Sequence, residues 1–231
     1  MIPIGTNLRM AKAPWMTYTV LGINSLLHLF LSWKNNLSLP PKIIDSFGFV
    51  PSSLLNLDPL AMPTLFTSMF LHGDLMHLIG NMLFLLVFGR KVETQLEVKN
   101  YLAFYLASGV TATMTHTVIQ PDSTTPLIGA SGAISGVLGA FLIYNPKARI
   151  TLIPDPVLIY LLRRLTIRVS AWVFILIWFF LQLHFTTNPS SSTIAFWAHI
   201  GGFLMGGTMA LAVYKYLPKE RFYAARRRHY D

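Results

Sequence analysis

The chain has 231 residues, 53% of them in the hydrophobic set and 12% charged, against roughly one quarter charged in an average soluble domain. Cysteine is absent, which excludes a disulfide framework, a thiolate zinc site and a cysteine nucleophile, and leaves hydroxyl, amine or carboxylate groups for any covalent chemistry. A net charge of +9 would serve nucleic acid only on a folded basic face, and the distribution of the cations points elsewhere.

Apolar stretches close to the roughly 20 residues that a helix needs to cross a 30 Å hydrocarbon core recur along the sequence. They predict an all-α polytopic membrane protein, a single integral domain over residues 1–231 with spans at 15–33, 72–88, 101–119, 129–144, 169–185 and 194–217. The first stretch is long for a signal peptide and lacks an obvious small-residue cleavage site after it, so it is read as a span. The connection from Lys34 to Leu71 carries Phe47, Phe49, Leu54, Leu55 and Leu57 among prolines and polar residues. It is too apolar for a free loop and is expected in the membrane interface.

With six spans, alternate connections fall on opposite sides. One side then collects Arg9 and Lys12, Arg90 to Lys99, Lys147 to Arg168, and Lys215 with the basic tail 218–231, while the other holds only Lys34 and Lys42 of the 18 Lys and Arg. By the positive-inside rule both termini are cytoplasmic. The basic charge is topological, its natural partner the anionic lipid bilayer rather than nucleic acid.

Polar residues inside spans are costly, so each invites a functional explanation. His28, His116 and His184 stand alone in apolar helices and are read as imidazoles bonding a neighbouring helix. His72, His77, Asn81, Ser131 and His199 lie near the starts of spans two, four and six, which run in the same direction. Ser131 and His199 therefore lie within roughly 10 Å of the outer boundary, and His77 and Asn81 reach a similar or somewhat deeper layer. At about 100° per residue, His77 and Asn81 share a helix face, whereas His72 and His77 differ by about 140°. A regular helix would not bring those two rings to one metal, so no metal site is assigned, and His72 is expected to organise the adjacent loop.

Ser131 stands in Gly129-Ala130-Ser131-Gly132, with Gly132 and Gly136 forming one G-x-x-x-G and Gly202 and Gly206 a second, just past His199. Taken alone, these motifs are explained by close helix packing. A serine needs a base to become a useful nucleophile, and His199 is the imidazole in its layer that the glycine-lined contact would bring near. An oxyanion formed on attack needs fixed donors, and the Asn81 amide, the His77 ring N–H and the Ser131 backbone N–H are of that kind. Asp45, Asp58, Asp74 and Asp122 lie in or beside loops, so the reading is a dyad without an acidic third member.

Three segments, HGDLMHLIGN with His72, His77 and Asn81, GASG with Gly129, Ser131 and Gly132, and AHIGG with His199 and Gly202, together resemble the rhomboid family of intramembrane serine proteases. The resemblance implies a six-helix core, a Ser131–His199 pair and oxyanion stabilisation by His77, Asn81 and the Ser131 backbone. It also implies membrane-protein substrates, single-span or polytopic, unwound near the outer face and cut without cofactor or metal, and a prokaryotic plasma membrane as the setting. Two positions depart from the family pattern: Pro63-Thr64 replaces a Trp-Arg pair ahead of span two, and Ser135 replaces a Tyr that stacks on the histidine. Gly89 and Glu93 resemble a family pattern of structural role. A proton-relay transporter would carry polar residues through the membrane. Here spans four and six hold no Asp, Glu, His, Lys or Arg between Ser135 and Lys147, or between Gly207 and Lys215.

Overall fold

A computed structural model describes residues 1–8, 10, 12–154, 160, 163, 165–187 and 195–217. Arg9, Arg164, Asn188, Ile194 and the basic tail 218–231 lie outside the described residues. Each predicted span carries a helix, with shifted ends: α1 (Trp15–Ser32), α5 (Leu75–Phe84) continued through a π-helical turn (Leu85–Gly89) into α6 (Arg90–Leu96), α7 (Val98–Ile119), α8 (Ser131–Tyr144), α9 (Ala171–Thr187) and α10 (Phe196–Tyr214). Leu75–Leu96, α7 and α10 are long and apolar enough to cross a membrane, whereas α8 and α9 are shorter apolar helices.

The α1 helix shows which solvent the fold was built for. Its buried positions are Thr17, Val20, Asn24, His28 and Ser32, while Ile23, Leu26, Leu29 and Phe30 face outward and are exposed. Polar inside and apolar outside is the reverse of a water-soluble helix and the arrangement expected where helices pack through small and polar groups against a lipid exterior. His28 Nε2 lies 3.2 Å from the carbonyl oxygen of Leu37, so it bonds the loop after its own helix rather than a neighbouring helix. At the other end, buried Glu93 accepts from the Met16 and Thr17 N–H groups and from Thr17 Oγ1 at 2.8, 2.7 and 2.6 Å, capping α1 from a different helix.

The 14-residue α8 is the centre of the bundle, buried from Ala133 through Phe141. Its glycines set how close α10 comes. A Cβ at Gly202 would strike the Gly132 carbonyl, one at Gly206 the Gly136 carbonyl, and one at Gly139 the Phe203 carbonyl. The two backbones thus touch along more than a turn, the contact that the paired G-x-x-x-G motifs predict.

The all-α expectation needs one correction. A three-stranded antiparallel sheet, β1 (Ile2–Thr6), β2 (Arg149–Ile153) and β3 (Ile167–Ser170) in that order, caps the end of the bundle where α8 finishes. Central β2 alternates, with Ile150 and Leu152 buried between exposed Arg149 and Ile153. This is the period-two pattern of a half-buried strand. Span five accordingly begins at Ala171, because Val169 and Ser170 pair in β3.

The segment 34–71 forms α2 (Pro41–Phe47), α3 (Pro51–Leu55), α4 (Ala61–Thr67) and a 3₁₀ turn (Ser68–Phe70). Phe47, Leu55, Leu57, Leu60, Met62 and Phe66 are exposed. Phe49 is fully buried instead, and its backbone pairs with Leu127 through two hydrogen bonds of 3.0 and 2.7 Å. That bridge pins the segment to the strand of chain leading into Gly129.

Candidate active site

Three helix starts converge on one cavity of about 840 Å³, lined by Asn81, His77, Gly129, Ser131, Trp178 and His199 among others. Asp74 begins α5 by accepting from the His77 backbone N–H at 2.9 Å, the N-cap interaction that satisfies a first-turn donor. Helix α5 therefore starts at Leu75, three residues later than expected, and His72 lies ahead of it in the loop. His72 and His77 therefore meet, contrary to the separation of about 140° expected of a helix through both. The two rings are edge to face, with centroids 5.1 Å apart, and His72 is fully buried.

The loop also orients His77. Leu39 N–H donates to the Gly73 carbonyl at 2.9 Å, and Gly73 N–H donates to His77 Nδ1 at 3.4 Å. With Nδ1 accepting, the ring proton sits on Nε2. That nitrogen faces Gly129, where an added Cβ would lie 2.8 Å from it. Gly129 has φ of +117°, a conformation that L side chains rarely adopt. One turn beyond His77, the Asn81 side chain is buried and its Nδ2 has no hydrogen-bond partner.

Ser131 is the first residue of α8, and no side chain caps that helix start, so its first-turn N–H groups are free to serve a ligand. Ser131 Oγ lies 2.9 Å from His199 Nε2. A hydroxyl in that position can pass its proton to the ring as it attacks a carbonyl carbon. Gly132 and Gly202 contribute by having no side chain: a Cβ on Gly132 would lie 2.6 Å from Ala112 of α7, and one on Gly202 would strike the Gly132 carbonyl. Ser135, one turn on, donates its hydroxyl back to the Ser131 carbonyl at 2.7 Å. An α8 of 14 residues rises about 21 Å, short of a 30 Å hydrocarbon core, so its first residue can sit recessed beneath the surface.

The family model described as the Rhomboid domain matches residues 60–216, more than half of the chain. The chain belongs to the rhomboid family. It is 34% identical over 129 residues to "Rhomboid protease GluP" of Bacillus subtilis, covering 56% of this chain and 24% of the relative. With "Rhomboid protein 1, mitochondrial" of Saccharomyces cerevisiae it shares 29% identity over 164 residues, 67% of this chain and 42% of the relative. With "Presenilin-associated rhomboid-like protein, mitochondrial" of Bos taurus it shares 31% over 138 residues, 58% of this chain and 35% of the relative. The chain thus spans under half the length of these relatives. As a rhomboid-family member it is an integral membrane protein, and the three segments that carried the resemblance are those that meet at the cavity.

This rhomboid holds His199 by groups that the sequence reading did not select. Gln182 of α9 places Oε1 2.7 Å from His199 Nδ1. Trp178, one turn earlier, lies 6.2 Å from the ring centroid, and Phe196 lies 6.3 Å away edge to face. A signal was available: Gln182 is an amide in an apolar run, near the end of a span that finishes in the Ser131 layer. Its pairing with His199, seventeen residues away on the next helix, is set by how α9 packs on α10, which helical spacing along one span does not give.

Proposed function

We propose that this chain is an intramembrane serine endopeptidase that cleaves membrane-protein substrates near the outer membrane face. Ser131 is the nucleophile and His199 the general base. The observation that carries the reading is the 2.9 Å approach of Ser131 Oγ to His199 Nε2 inside a cavity that also contains the unpartnered Asn81 Nδ2.

In this mechanism His199 Nε2 takes the hydroxyl proton as Oγ bonds to the scissile carbonyl carbon. The tetrahedral oxyanion accepts from Asn81 Nδ2–H, His77 Nε2–H and the Ser131 backbone N–H. Collapse breaks the C–N bond, and the departing amine takes the proton from His199. Water then attacks the acyl-enzyme, giving its proton to His199, and Ser131 regains a proton as the acid product leaves. The chemistry balances with protein groups and water alone. A helical substrate must unwind first, because its carbonyls are already hydrogen-bonded within the helix.

Six spans, with both termini on the cation-rich side, place the recessed cavity toward the opposite face. The exposed apolar residues of the 34–71 segment, Leu57 and Phe66 among them, then rest in the interface around it. The relatives' names include both mitochondrial proteins and one from Bacillus subtilis, and a prokaryotic plasma membrane is the setting proposed here. In proteoliposomes with a single-span reporter, Ser131→Ala and His199→Ala each lower cleavage by about 10³-fold or more while keeping the fold. Turnover by either variant at the wild-type rate overturns the assignment.

A further inference from the structure

An amide in the middle of lipid-facing apolar surface is costly, and Gln182 avoids that cost by turning inward. It is only 9% exposed on a helix where Ile177, Phe180 and Leu181 face outward. The contact it reaches is the far side of the His199 ring, Oε1 to Nδ1 at 2.7 Å, while the near side, Nε2, meets Ser131 Oγ at 2.9 Å. The two contacts are linked through a single proton. A neutral imidazole has one N–H and one lone pair, and a carbonyl-type oxygen can only accept. Facing Oε1, Nδ1 must be the donor, which leaves the lone pair on Nε2, aimed at the serine hydroxyl. The opposite tautomer would set two acceptors against each other at Gln182 and present a proton, rather than a lone pair, to Ser131.

We propose that Gln182 is the positioning residue of this site, the uncharged third member that fixes the His199 tautomer and ring angle so that Nε2 stays basic toward Ser131. This rests on the reading of Ser131 and His199 as the catalytic pair. In hydrolysis, the ring carries both protons while the tetrahedral intermediate exists, and the Oε1 end of the amide dipole then faces an imidazolium. An amide gives part of the stabilisation that a carboxylate would give, without the expense of burying a permanent charge at a position only 9% exposed. Trp178, one turn earlier on α9, lies with its ring 6.2 Å from the His199 ring centroid. Helix α9 therefore supplies both the hydrogen bond and an aromatic neighbour of the base.

The test uses the full chain in proteoliposomes with a single-span reporter, and three variants. Gln182→Leu removes the acceptor at nearly constant volume and lowers kcat by about 10- to 100-fold with KM within about twofold, less than the roughly 10⁴-fold loss when a buried triad carboxylate is replaced. Gln182→Glu restores an acceptor and regains at least part of that loss. In ¹⁵N-histidine-labelled protein, with His199→Ala to assign the signals, wild type shows the Nδ1–H tautomer at His199, and Gln182→Leu shows a mixture or the Nε2–H form. Unchanged kcat in Gln182→Leu, or an Nε2–H tautomer in wild type, overturns the proposal. If Gln182→Leu fails to fold, the wild-type tautomer and the Gln182→Glu rates decide it by the same criteria. Wild type that shows no Ser131-dependent cleavage overturns the protease reading instead, and the tautomer comparison still decides whether Gln182 sets the ring.

Discussion

Asn81 is buried with a free donor, one turn from a histidine whose own donor is fixed by Gly73. If both serve an oxyanion, their contribution appears only when that charge forms. Asn81→Ala is therefore expected to lower kcat by about 10²- to 10³-fold with little change in KM, measured as initial rates over a range of reporter density. A rise in KM alone would make Asn81 a substrate-binding group instead. His77, Asn81, Ser131 and His199, which line one cavity, were legible in the sequence because helical phase puts His77 and Asn81 on one face and the glycine motifs and the family resemblance pair Ser131 with His199. His72 lies in the loop it was expected to organise, but its contact with His77 was not legible, because a separation of about 140° holds only for a helix through residue 72 and Asp74 caps α5 at Leu75. Gln182 was not legible because its contact with His199 depends on how α9 packs against α10, which spacing within one helix does not give.

The packing of α8 on α10 depends on glycines that differ sharply in the space around them. Gly206 has the Gly136 backbone where a Cβ would be, while Gly207, its neighbour, has nothing nearer than the Gly139 carbonyl at 3.9 Å. Gly206→Val is expected to push the helices apart, destabilising the fold by about 1–3 kcal/mol or more and pulling His199 from Ser131. Gly207→Ala should leave both unchanged. Thermal unfolding in detergent compares the pair, and equal melting temperatures would show that the contact does not govern the approach of these helices. Helix positions could be read from apolar runs, since a bilayer demands them. The sheet could not: β1 and β2 are separated by more than 140 residues, and strands of four or five residues leave too short a pattern to separate from loop. The π-helical turn between α5 and α6 was equally hidden, because it alters hydrogen-bond register without altering apolar content.

For the molecule as a whole, the cation distribution predicts that Lys34 and Lys99, both exposed, lie on opposite sides of the membrane. The chain has no cysteine of its own, so Lys34→Cys and Lys99→Cys report sidedness without background. An impermeant maleimide added to intact cells should label Lys34→Cys directly and Lys99→Cys only after permeabilisation. Labelling of both from the same side would contradict the topology. Three helix starts converge on one cavity that holds Ser131, His199 and Asn81, and the proposed chemistry requires that water reach it. The most direct test of that account is a fluorophosphonate probe applied to the chain in its membrane. The account predicts covalent labelling of wild type at Ser131, slower labelling of His199→Ala and none of Ser131→Ala. Equal labelling of Ser131→Ala and wild type, or no labelling of wild type that cleaves the reporter, would contradict it.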